Sequence, residues 1–462
     1  MALDPDLAAA IAVTRFGLGA KPGELEKALP DPTGWLTAQI RPAGGADLAN
    51  PNEPTSASRV MEFREYQRQR QAAPRSGQPF DPVKFAGQLI RTDTGADFLA
   101  RVQLGATTDA GFRERWALFW CNHFTVSATK AQTATLVGPF EQEAIRPHVF
   151  GRFEDMLVAS SSHPGMLLYL DQAQSVGPDS MAAGYMARAA KGGGGLNENL
   201  AREIMELHTV GVEAGYTQAD VTEFARAMTG WSIGGLRDEG DNAGRFVFRQ
   251  AAHEPGVRTI MGKQYFQSGV DQALAVMKDL AASPHTAHHI GLKLARHFVA
   301  DDPPPQLVAD LTRTFQGTNG DLAQVAKTLV LSREAWAPQP RKFKTPYEFL
   351  VSSWRAAGVS PDKLEDVAPL LNAMGQKPFS APSPKGWPEE AGNWCAPDAL
   401  IKRMDWSEAL AAKALAGRDP TDIAKAALGA RLTPLVATTI ARAETREEGL
   451  AILLMSPEFQ RR

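Results

Sequence analysis

Helix-start signals recur along this chain in a pattern that dictates its fold class. Asp4 before Pro5, and Ser283 before Pro284, each supply an N-cap side chain and a proline at the first helical position, where a missing N–H costs nothing. Thr217 with Asp220, and Thr345 with Pro346 and Glu348, have the spacing of a capping box, in which hydroxyl and carboxylate satisfy backbone N–H groups reciprocally. Apolar residues then follow at three- and four-residue steps, the period of a helix that buries one face. The same reading predicts helices over 5–13, 23–40, 58–70, 82–104, 111–125 and 136–146. The fold class is therefore mainly α, a large helical domain with a small β-hairpin insertion. The hairpin is expected over 245–265, where β-type residues flank a His-Glu-Pro-Gly turn.

With 462 residues the chain is read as one helical domain over 1–462, with 398–462 as a minor C-terminal helical subdomain. Two stretches break the helical period. Residues 41–58 are rich in Pro, Gly and Asn and form a surface loop. Residues 375–397, "GQKPFSAPSPKGWPEEAGNWCAP", carry Phe379, Trp387 and Trp394, enough aromatic surface to pin the loop against the body. A net charge of -3 gives no electrostatic case for nucleic acid or an anionic membrane as partner. The basic run "RQRQAAPR", Arg68–Arg75, lacks interleaved aromatics and reads as a solvated loop. Two cysteines, Cys121 and Cys395, are too few for a disulfide framework and fit a reducing compartment. The N-terminus lacks a basic region, and no run approaches the roughly 20 apolar residues of a membrane span. The sequence as given reads as cytoplasmic, or as periplasmic or secreted if an export signal has been removed.

Candidate chemistry concentrates in "NENLAREIMELHTVG", Asn197–Gly211. Projected as one α-helix, Leu200, Ile204 and Leu207 form an apolar stripe, while Asn199, Glu203 and Glu206 form a polar one. His208 falls on the apolar side. A second helix, "GFRERWALFWCNHFTVS", repeats this oddity by setting His123 among Phe119, Trp116 and Trp120. A lone core histidine is more often a satisfied structural group than a ligand, but two beside a carboxylate-rich helix point to a site. Glu203 lies nearer the apolar boundary than Glu206 and should have the more raised pKa. This predicts Glu203 as proton donor, Glu206 or Asp171 as base or nucleophile, and His123 and His208 as partners in catalysis. Asn199, Asn122, Trp116, Trp120, Trp387 and Trp394 would bind substrate, with the aromatics suiting the flat faces of sugars. The plain alternative is a salt-bridged helix and ordinary core filling. The catalytic arrangement requires His123, Glu203 and His208 to converge on a solvent-reachable pocket.

Metal spacing is not met locally. There is no His-Glu-x-x-His, and His288 and His289 are adjacent, so they splay by about 100°. No cofactor is expected. A divalent metal enters only if the fold gathers His123, Glu203, Glu206, His208 and His253. The glycine run after Lys191 could hinge a lid, or serve as a flexible linker, and it lacks the lysine and hydroxyl of a phosphate-binding loop.

Several segments in order, "RERWALFWCNHFTVS", "NENLAREIMELHTVGVEAGYTQADVTEFARAMTGW", "HEPGVRTIMGKQ", "PHTAHHIGLKLARHFVADDPP", "KFKTPYEFLVSSWRAAG" and "GQKPFSAPSPKGWPEEAGNW", resemble the bacterial family called domain of unknown function 1800. The resemblance covers nearly the whole chain and implies a single, predominantly helical domain. It implies no catalytic residues. It does suggest a partner, since members are commonly encoded beside proteins that look like sulfatases and alkaline phosphatases. The sequence thus favours a hydrolase acting through acid–base carboxylates on a carbohydrate or related polar polymer. The alternatives are a non-enzymatic partner of a sulfatase-like protein, and a metal-dependent hydrolase or oxidase.

Overall fold

Proline and glycine cut the chain into many short helices. The computed structural model describes residues 3–76, 82–189, 195–235, 242–415 and 417–462. Its first third contains α1 (Pro5–Ile11), α2 (Glu24–Ala28), α3 (Pro32–Thr37), α4 (Ser56–Ser76), α5 (Pro82–Thr107), α6 (Gly111–His123), α7 (Ala131–Ala134) and α8 (Val137–Phe140). There follow α9 (Phe153–Ser162), α10 (Pro164–Tyr169), α11 (Met181–Arg188), α12 (Asn199–Glu203), α13 (Gln218–Met228), α14 (Val270–Ala282), α15 (Pro284–Phe298), α16 (Pro305–Gly317) and α17 (Leu322–Leu331). The last part contains α18 (Pro346–Ala357), α19 (Ala368–Ala373), α20 (Pro397–Ala414), α21 (Pro420–Leu428), α22 (Pro434–Ala441), α23 (Arg446–Met455) and α24 (Pro457–Gln460). Among the described residues helix dominates and the named strands are four three-residue segments, so the protein is mainly α. Among the described residues no helix is long and apolar enough to cross a membrane.

The predicted caps form. Asp4 and Ser283 accept the N–H groups of Leu7 and His285, and Thr217 with Asp220 and Thr345 with Glu348 close both capping boxes. Other expectations change in detail. The helix expected over 23–40 is split into α2 and α3, because Asp31 and Pro32 start a new helix with their own N-cap bond. The helix over 136–146 is α8 followed by a π turn and a 3₁₀ turn. Residues 68–75 belong to α4 rather than to a loop, their Gln, Arg and Ala being good helix formers, and Arg68 pairs with Glu65. The glycine run as far as Gly194 lies outside the described residues.

The small β structure is two antiparallel pairs. β1 (Trp231–Ile233) pairs with β2 (Phe246–Phe248), and β3 (Arg258–Ile260) pairs with β4 (Lys263–Tyr265) across Met261 and Gly262. Both of those turn residues have positive φ, as a tight two-residue hairpin turn demands. The His-Glu-Pro-Gly segment does not close the hairpin because α13 captures it. His253 Nδ1 lies 3.0 Å from the Thr229 carbonyl, and the Glu254 N–H donates to Thr229 Oγ1 at 2.8 Å.

One buried hydrophobic cluster runs from Ile11 to Phe459 and includes Leu410 and Leu453 of the C-terminal helices. The aromatic face of α6 sits at its centre. Trp116 stacks on Phe150 and tilts against Phe298, and Trp120 packs edge-on to Trp116 and against Phe153. Each fully buried aromatic side chain contributes on the order of 2–3 kcal/mol.

Buried ion pairs join distant parts of this core. The Glu348 carboxylate, which also completes the cap of α18, pairs with Arg115 of α6 and with Arg462 at 2.8 Å. Arg462 in turn donates to the His297 carbonyl at 2.7 Å. Burial alone would raise the Glu348 carboxyl, but Arg462 and Arg115 hold it well below the usual carboxylate range. Glu348→Gln leaves two guanidinium groups buried without their counter-charge and is expected to cost roughly 3–5 kcal/mol in denaturant unfolding. A loss below about 1 kcal/mol would show the carboxylate to be dispensable.

Candidate functional site: a lysine–imidazole cleft

The segment expected as one helix over 197–211 is α12 followed by a π turn, Ile204–His208. The wider turn changes which residues face inward. Met205 joins Leu200 and Ile204 in the core, while Leu207 moves to a half-buried position on the wall of a cleft. A helix end leaves carbonyls in need of donors, and here four receive one from beyond the turn. Ile204 accepts the Thr209 hydroxyl, Met205 the Gly211 N–H, Leu207 the ring of His289 and His208 the ring of His123.

Those last two bonds determine tautomers. His123 Nε2 lies 3.1 Å from the His208 carbonyl, which can only accept, so Nε2 carries the proton. Burial first, then the charge of Lys293, holds the His123 ring well below its ordinary pKa, so the ring is neutral and Nδ1 is a bare lone pair. That lone pair receives a hydrogen bond from the Lys293 ammonium at 2.9 Å. Lys293 is itself lowered to about 8, by burial above all and further by Lys385, with Glu389 opposing. His208 is lowered to about 3 and His289 to about 4, in both cases by burial and then by Lys293. Both ring nitrogens of His208 are buried without a hydrogen-bond partner.

α15 supplies the opposite wall. His289, Lys293 and His297 stand four residues apart and share one of its faces. His297 Nδ1 lies 2.8 Å from the Glu389 carboxylate, and burial keeps the ring below its ordinary pKa, making it a neutral N–H donor. Burial pushes the Glu389 carboxyl up, but His297 and the nearby Lys342 more than offset this, so it stays ionised. The 375–397 loop forms the roof. Asn122 clamps it by donating to the Trp387 carbonyl at 3.0 Å and accepting from the Trp387 N–H at 2.7 Å. Gly386 has φ +85, and a Cβ there would stand 2.5 Å from the Asn122 carbonyl oxygen, so only glycine permits this approach. Between these walls is a cavity of about 160 Å³, onto which Phe119, His123, Lys293, Arg296, Lys385 and Trp387 open.

The structure separates the residues that the sequence analysis grouped. His123 and His208 do meet, with ring centroids 5.9 Å apart, but His208 is fully buried. Glu203 and Glu206 do not line the cleft. They are half-buried near Tyr169 and Tyr216, and burial followed by the Glu206 charge raises the Glu203 carboxyl. Asp171 is bonded to Lys130 at 2.7 Å and shares a shallow groove with Asn197 and the exposed Asn199. The required convergence of His123, Glu203 and His208 on one pocket is therefore not found. Trp116 and Trp120 lie in the core, out of reach of any substrate, because α6 buries its whole aromatic face. Trp394 is buried behind the loop, with Nε1 donating to the Pro388 carbonyl, whereas Asn122 and Trp387 do line the cleft. Among the described residues no three His, Cys, Asp or Glu groups are placed to hold a metal ion, and His253 is committed to Thr229. His288 and His289 splay as expected, His288 lining a different groove, between α15 and α16. Sequence reasoning missed Lys293, His289, His297, Arg296, Lys385 and Glu389. The four-residue spacing in "HHIGLKLARH" was the available signal.

The chain matches the family model described as "Protein of unknown function (DUF1800)" over residues 11–461. It belongs to that family. No curated protein and no solved structure matches it. In this DUF1800 member the three neutral imidazoles of His123, His208 and His289 tie stability to pH. Their ordinary value is 6.5, so below that pH the unfolded chain takes up protons that the folded chain refuses. Their contribution is complete above pH 6.5 and is lost as pH falls toward 4, with a slope of up to about 4 kcal/mol per pH unit. Urea unfolding at pH 7, 6 and 5 should show this decline. A midpoint that does not move would mean that the rings are protonated in the fold.

Proposed function

We propose that the chain is an enzyme, a hydrolase of a carbohydrate or related polar polymer, working in the cleft between α6, α15 and the 375–397 loop. The observation that carries this reading is the Lys293 amine, 2.9 Å from the bare Nδ1 of His123 on the wall of that cavity. An amine that titrates near 8 exchanges its proton close to neutral pH, and the neutral imidazole beside it fixes the amine's position by accepting its hydrogen bond. Positioned groups of this kind accelerate proton-transfer steps by typically 10²–10⁴-fold. Trp387, Pro388 and Phe119 offer flat apolar contact to a sugar face, and Asn122, Arg296 and Lys385 offer polar contact. A volume of about 160 Å³ admits no more than part of a single terminal unit of a polymer.

A second reading keeps the same reaction class but places it on the outer face of α12. It is favoured by the raised carboxyl of Glu203 beside Glu206. A docking role for the aromatic loop, with a sulfatase-like partner, has less behind it, because Phe379 and Trp394 turn inward and leave little apolar surface to offer.

Product analysis on a panel of oligosaccharides, with wild type, Lys293→Met and Glu203→Gln, separates these readings. Turnover is expected in wild type and in Glu203→Gln, with a loss of at least about 100-fold in Lys293→Met. The reverse partition would move the reaction to α12. If no saccharide is turned over or changes the tryptophan fluorescence, the substrate class is wrong.

A further inference from the structure

A half-buried lysine amine ordinarily faces a carboxylate or open water. Lys293 faces a lone pair instead. Its Nζ bonds to His123 Nδ1, and among the described residues it makes no ion pair. The acid that acts on it, Glu389, directs its carboxylate to His297, and its backbone carbonyl accepts from Lys342 at 2.6 Å. The amine is thus directed at the cavity without a counter-charge, and Arg296 and Lys385 line the same cavity. Of the facing groups, only Glu389 and Glu390 are acidic.

We infer that Lys293 is a nucleophilic amine that condenses with a small aldehyde or ketone entering the cleft, forming an imine. The inference rests on Lys293 being the working group of the cleft, not on the substrate being a saccharide. The ammonium first gives a proton to solvent, leaving a free amine. The nitrogen pair attacks the carbonyl carbon, the C=O π pair moves to oxygen, and oxygen takes a proton from that nitrogen. The resulting carbinolamine expels that oxygen as water, with its last proton coming from nitrogen, to leave C=N. The sum is amine plus carbonyl giving imine plus water, with no oxidant or reductant. An aldehyde of about six non-hydrogen atoms matches the cavity volume, and one bearing a negatively charged substituent would meet Arg296 and Lys385. An amine that titrates near 8 also holds far more of the reactive free base at pH 7 than one at the ordinary 10.5.

Reductive trapping tests this in the intact protein. Glycolaldehyde with cyanoborohydride at pH 7 converts each imine to a stable secondary amine, and peptide mass mapping locates it. Lys293 is expected to be labelled roughly tenfold or more faster than the exposed Lys27, Lys263 and Lys425. Labelling of Lys293 no faster than these, in protein that retains its native circular dichroism, overturns the inference. Trapping is read without turnover, so it can fail or succeed independently of the hydrolase reading. A labelled Lys293 in a protein whose Lys293→Met variant keeps full turnover would sink that reading and leave this one standing.

Discussion

Glu348 is the group on which the arrangement of this protein turns. One buried carboxylate caps α18, neutralises a guanidinium from α6 and neutralises another at Arg462. Burial of such a charge is costly unless every lone pair is used, and here three distant stretches of chain are needed to use them. The effect reaches the cleft. Arg462 holds the carbonyl of His297, whose ring holds Glu389, and Glu389 lies in the loop that roofs the cavity. The site is the far end of a chain of hydrogen-bonded groups that begins in the core.

Within the cleft, burial first and one positive charge second set the state of the neighbouring rings. Lys293 depresses His123, His208 and His289 together, and burial acts on all four in the same direction. Neutral rings can donate to the π-turn carbonyls through one nitrogen and still present a bare second nitrogen, which a protonated ring cannot do. The low dielectric that makes His208 costly to leave unpartnered is therefore what keeps His123 available to the lysine.

The helical class and its caps were legible because capping is local. Thr345 and Glu348 are three residues apart, and their mutual bonds do not depend on what packs around them. The burial of His123 and His208 was legible too, since periodicity marks the inward face. The π turn was not, because a turn one residue wider has no compositional mark, and it moved Leu207 from the core stripe to the cleft wall. That left Glu203 and Glu206 outside the pocket that His123 lines. Lys293 escaped notice because a lysine on an amphipathic helix is normally solvated, and its partner lies 170 residues away in the chain. Trp116 and Trp120 were misassigned to a binding wall because sequence cannot distinguish an aromatic face that covers a core from one that lines a cavity.

The contacts that assemble this molecule span long stretches of chain. Arg15 reaches the Ala335 carbonyl across 320 residues, Arg355 reaches Glu24 across 331, and Asn122 reaches Trp387 across 265. Loops of that length close late, because their entropy must be overcome before any contact rewards it. During synthesis the π turn after α1 and then α6 emerge carrying Arg15 and Arg115, whose acceptors near Ala335 and Glu348 do not yet exist. The N-terminal helices can form early but cannot bury these side chains until more than two thirds of the chain has been made. The cleft, roofed by Trp387, is among the last parts to close, and an unfinished chain displays the aromatic face of α6 to whatever chaperone or aggregate meets it first.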